Sequence, residues 1–98
     1  MANYTNNYIE KVLDLLTHYD LKRCFEGKIE SFCRYEKYDE FYTEWEIDNW
    51  DAVIDTFVNY ACRKTGLDKS IVKQIVDKYI DTTMDAISEY FEFYFNET

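Results

Sequence analysis

Proline is missing from this 98-residue chain, glycine occurs only as Gly27 and Gly66, and His18 is the one histidine. Two isolated glycines leave no glycine-rich loop to cradle a phosphate. Without proline or low-complexity stretches there is no linker, and the chain reads as a single domain over residues 1–98. No apolar run reaches the ~20 residues that span a bilayer. The opening Met1-Ala-Asn-Tyr-Thr-Asn-Asn is polar and unlike a secretory leader, so the expected setting is cytoplasmic, with no membrane partner. Bases are scarce: eleven Lys and Arg face twenty Asp and Glu, a formal net charge of −9. Duplex affinity comes mostly from cations that neutralise phosphates, so direct binding of nucleic acid is disfavoured.

Cysteine is sparse as well. Cys24, Cys33 and Cys62 are odd in number and form no C-x-x-C pair, which fits buried, reduced thiols better than a disulfide framework. A zinc site from Cys24, Cys33, Cys62 and His18 would use no recurring ligand spacing, and neither a metal nor another cofactor is expected. His18 has no Ser or Cys nucleophile at an informative distance. Carboxylates abound, but nothing marks one as buried, which a catalytic acid requires. The chain therefore reads as no enzyme.

What is present is a globular composition, 47 % apolar and 19 % aromatic. Asn7 with Glu10 three residues on resembles a capping box, and Ile9, Val12, Leu13, Leu16 and Tyr19 follow at helical spacing. This predicts a helix over about Asn7 to Phe25, stopped by Gly27. Phe41, Thr43, Trp45 and Ile47 then alternate with Tyr42, Glu44, Glu46 and Asp48, as in a half-buried strand. Ile29, Ser31, Cys33 and Tyr35 supply one face of a partner strand, with Glu36–Asp39 as the hairpin loop; a helix over this stretch is the alternative. Asp48 is the expected cap of a helix with Trp50, Val53, Ile54, Phe57, Val58 and Ala61 on its apolar face, ended by Gly66. Asp68 is the expected cap of a last helix whose stripe runs from Ile71 through Val76, Ile80 and Met84 to Phe91. The order α-β-β-α-α makes an α+β fold, helices packed on a small antiparallel hairpin; an all-α helical bundle is the alternative. Tyr90, Phe91, Phe93, Tyr94 and Phe95 cannot all face one core from one helix. They predict either an edge strand or an aromatic patch covered by a second subunit.

Lys64-Thr65-Gly66-Leu67, Lys69, Val76-Asp77, Asp81-Thr82 and Ala86-Ile87 resemble the helical half of the HU family of bacterial histone-like proteins, over residues 54–87. The resemblance implies a helix–turn–helix scaffold that intertwines in a homodimer. HU-type proteins continue from this segment into a sheet and basic β-arms. Here the sequence reaches Thr98 shortly after the expected last helix, so no counterparts of the DNA-binding residues are expected.

The charges are unevenly spread. Residues 1–25 are balanced, residues 26–55 carry −7 and the remainder −2. In that last part Arg63, Lys64, Lys69 and Lys73 come first, and Asp77, Asp81, Asp85, Glu89, Glu92 and Glu97 follow, interrupted by Lys78. Asp77, Asp81, Asp85 and Glu89 are four apart, which places them on one helix face about 6 Å from one to the next. Glu40, Glu44, Glu46 and Asp48 share the solvent face of the expected strand with Tyr42. Duplex DNA likewise presents rows of negative charge. The helix row runs against local physics: like charges at i,i+4 cost a few tenths of a kcal/mol per pair, and acids toward a C-terminus oppose the helix dipole. A sequence that breaks local rules marks a candidate site.

Size, acidity and the lack of a catalytic motif also resemble the small acidic proteins by which phages and mobile elements disable restriction or CRISPR nucleases. The expected function is a non-enzymatic inhibitor that binds a basic nucleic-acid-binding protein or nuclease by DNA mimicry, through Glu40, Glu44, Glu46, Asp48, Asp77, Asp81, Asp85 and Glu89. The alternatives are a dimeric adaptor that uses the aromatic surface, and a helix–turn–helix regulator with Arg63, Lys64, Lys69 and Lys73 as its basic patch.

Overall fold

Thr17 and Asp20 decide where the first helical stretch breaks. In the computed structural model, which describes residues 6–41 and 43–97, α1 covers Asn6–Leu13 and α2 covers His18–Cys24. The one helix expected from Asn7 to Phe25 is therefore two. The Thr17 side chain accepts the Asp20 N–H at 3.2 Å and starts α2 afresh. Asn7, expected as a cap, lies inside α1. Tyr19, expected on the buried stripe, is 63 % exposed, because the restart turns that part of α2 outward. Gly27, at φ 74°, supplies the left-handed residue that reverses the chain after α2.

Ile29–Phe32 forms a 3-10 turn rather than the start of a strand. Ser31 directs both its N–H and its hydroxyl to the Lys28 carbonyl, at 3.1 and 2.6 Å, which competes with a sheet ladder. β1 is thus Cys33–Lys37, paired antiparallel with β2, Thr43–Ile47. The register sets Cys33 opposite Ile47, Arg34 opposite Glu46 and Glu36 opposite Glu44. Glu36 and Lys37 consequently belong to the strand, and the loop comes after them. One further bond, from the Asp48 N–H to the Phe32 carbonyl at 2.9 Å, extends the pairing past β2.

α3 covers Trp50–Thr65. Its cap is Asn49, whose side chain accepts the Ala52 N–H at 3.2 Å, and not Asp48. Gly66, at φ 75°, closes it with an N–H bond to the Cys62 carbonyl. The helix expected from Asp68 onward is again two, α4 at Lys69–Lys78 and α5 at Ile80–Glu97. The break falls at Tyr79, with φ −112° and ψ 39°. The Thr83 hydroxyl donates to the Tyr79 carbonyl at 2.9 Å, the back-bonding by which threonine bends helices. Asp68 precedes α4 without a side-chain capping bond.

The buried residues form one cluster fed by every helix, with Val12, Leu21, Phe57, Val72, Ile75 and Ile87 among its fully enclosed members. Each such side chain stabilises the fold by ~1.5–3 kcal/mol relative to exposure. Phe25 meets Phe91 edge to face, 5.1 Å between centroids. The hairpin joins this core at its base, where Cys33, Trp45 and Ile47 are half-buried, and Trp45 lies 5.0 Å from Phe95. The result is mostly helical with a small antiparallel hairpin, an α+β arrangement elongated to 53 × 21 × 18 Å. Among the described residues, no helix is long and apolar enough to cross a membrane.

Candidate functional site

The hairpin's outer face is built by period-two alternation: Trp45 and Ile47 turn inward, so Glu44 and Glu46 turn outward, and both are exposed. Glu40 and Asp48, at the two ends, are exposed as well. Tyr42, expected on the same face, lies outside the described residues. The four acids do not stand alone. Arg34 reaches Glu46 at 3.8 Å and Asp48 at 3.7 Å. These pairs are exposed and each contributes at most ~1 kcal/mol, but they neutralise one charge of the row. Glu36 faces Glu44 across the ladder, a repulsive pairing. The Tyr38 hydroxyl stands 2.8 Å from Glu36 and 2.9 Å from Glu44 and donates its one proton to either. Those bonds, to Glu36 first, hold the Tyr38 phenol above its usual range. Arg34, Glu36 and Tyr38 were absent from the expected site. Reading β1 across its partner in register would have found the first two.

The helical row divides at the bend. Asp77 sits on α4, whereas Asp81, Asp85 and Glu89 sit on α5; all four are exposed. On α5 the acids lie opposite the buried Thr83, Ile87, Tyr90 and Phe91, and exposed Glu92, three residues past Glu89, extends their face. The break also reverses part of the electrostatic argument. Asp81 now falls in the first turn of α5 and Lys78 in the last turn of α4, both positions that the dipole favours. None of Asp81, Asp85, Glu89 and Glu92 makes an ion pair among the described residues. Lys69, one cation of the basic patch at the α3–α4 turn, pairs with Asp55 at 3.6 Å.

The C-terminal aromatics continue in α5, and no edge strand forms among the described residues. Tyr90 and Phe91 are buried; Tyr94 and Phe95 are half-buried. Phe93 remains 46 % exposed beside the His18 ring, 4.8 Å away. Exposure peaks elsewhere, at Phe41 in the hairpin loop, which is 90 % exposed.

No group of three or more His, Cys, Asp or Glu side chains among the described residues is placed to hold a metal ion. The cysteines are free thiols: burial pushes Cys24 up to about 12 and Cys33 up to about 11, and raises Cys62. Such thiols stay protonated near neutrality and are poor nucleophiles and poor ligands. The chain matches no family model, no curated protein and no solved structure.

Proposed function

We propose that this protein is a non-enzymatic acidic binder that occupies the basic groove of a nucleic-acid-binding protein or nuclease in place of DNA. The observation that carries this reading is the outer face of α5. Asp81, Asp85, Glu89 and Glu92 are exposed along one helix, unpaired by cations, while the opposite side of that helix is fixed in the core. Charges held on a rigid element lose little freedom when a partner binds, which favours affinity. A row of fixed negative charge also steers a basic partner toward contact. The hairpin face plays a lesser part in this reading, since Arg34 and Tyr38 engage Glu44, Glu46 and Asp48.

The test is affinity capture from a bacterial lysate with the full chain and with a variant carrying Asp81→Lys and Asp85→Lys. The expected result is a basic nuclease or nucleic-acid-binding protein that salt and competing duplex DNA both release, and that the variant does not hold. Equal capture by the variant, or a partner indifferent to DNA, would refute the proposal.

A further inference from the structure

Phe41 is an unusual residue to leave in water. Its side chain is 90 % exposed, and its N–H donates to the Asp39 carboxylate at 2.7 Å. An Asx turn of this kind pre-orders the loop, so presenting the ring to a partner loses little further entropy. Exposed Glu40 stands beside it.

Elsewhere on the same chain is a cavity of about 250 Å³ lined by Phe25, Ile29, Tyr90 and Tyr94, of which Tyr94 alone is more than slightly exposed. That is smaller than the roughly 300–1,000 Å³ of small-molecule sites, and suits a single inserted side chain. Lys22 and Lys28 stand on its rim with Glu26 and Glu30. Neither lysine makes an ion pair among the described residues, while Glu30 accepts the Tyr94 hydroxyl at 3.4 Å. The rim is thus neutral in a chain of −9. An acidic hairpin meets two lysines without ion pairs there, beside two carboxylates, and so no net repulsion, whereas the α5 face would repel it.

We infer that the hairpin tip of one copy docks in this cavity of a second copy, with Phe41 against the half-buried Tyr94 ring and Glu40 against Lys28 and Lys22. The exposure of Phe41 shows that the chain's own cavity does not hold it. The five-residue strands carry the tip about 15 Å away from the 3-10 turn that contributes Ile29 to the lining. Each copy offers one hairpin and one cavity, so reciprocal exchange about a two-fold axis closes a dimer and uses both.

Sedimentation equilibrium of the full chain tests this. The wild type should dimerise with a Kd on the order of 10–100 µM, and Phe41→Ser should weaken that about tenfold or more, as loss of a central aromatic anchor does. Because Phe41 is exposed, the urea midpoint of the monomer should not move. Lys28→Glu should weaken the dimer from the other side. A wild type that stays monomeric up to several times that range, or a dimer indifferent to Phe41→Ser or to Lys28→Glu, would overturn the inference.

Discussion

Asp20 ties three residues together at the junction of α2 and α3. Its backbone N–H and carboxylate both meet Thr17, and the same carboxylate accepts the Tyr60 hydroxyl at 2.7 Å. Nearby, the buried Cys24 thiol leans on the Thr56 carbonyl at 3.8 Å. Burial raises Cys24 from 9.0 up to about 12, and burial followed by the Asp20 bond raises Tyr60 from 10.0 up to about 12. Both groups become anions on losing a proton, so the folded chain keeps protons that the unfolded chain releases. Below about pH 9 neither group makes stability depend on pH. Between about pH 9 and pH 12 the unfolded state binds fewer protons, and stability falls as pH rises. Urea midpoints measured across that window should decline, beginning with the cysteines, since Cys33, raised from 9.0 up to about 11, and Cys62 contribute alongside Cys24. The decline between pH 9 and pH 10 should be shallower in Cys24→Ala, though not absent, whatever that variant's absolute stability. A wild-type midpoint that stays level there would contradict the placement of both groups.

At the scale of elements, hydrophobic period was a good guide to which segments are helix and which are strand, and a poor guide to where helices stop. Alternation from Thr43 to Ile47 and the helical stripe from Trp50 to Ala61 both correspond to real elements, whereas Phe41, expected on the buried face of the strand, lies in the loop with its ring 90 % exposed. The break before α2 is made by the Thr17 cap, and the break at Tyr79 coincides with the Thr83 back-bond to its carbonyl, with neither glycine nor proline at either turn. Thr17-x-x-Asp20 was a visible signal for the first. The second has no such signal, since Thr56 makes the same back-bond inside an unbroken α3. Asp48 and Asn49 pose a similar choice, since both residue types cap helices and they are adjacent. Asn49 takes the cap, while Asp48 faces Arg34. Asn49→Ala should therefore lower stability by ~1 kcal/mol, and Asp48→Ala by less than ~0.5 kcal/mol, read as shifts in urea midpoint. The opposite ranking would assign the cap to Asp48.

Across the whole molecule, the exposure of all eight singled-out acids followed from composition and pattern, because a chain this acidic places its carboxylates in water. Their neutralisation did not. The pairing of Arg34 with Glu46 and Asp48 needs the strand register, and the separation of Asp77 from the α5 acids needs the bend at Tyr79. Local patterns thus found the charged faces, and tertiary contacts decided which of them stays unpartnered.

The hairpin's foothold on the core has a spectroscopic consequence. The chain's two indoles are Trp45, against the Phe95 ring, and Trp50, at the first turn of α3. Intrinsic fluorescence therefore reports on the hairpin end, whereas far-ultraviolet circular dichroism reports on the five helices. Urea curves followed both ways should coincide if the hairpin and the helices unfold as one unit. A fluorescence transition at lower urea would mean that the hairpin detaches first. It would then act as an arm on a stable helical body, with its own opening equilibrium.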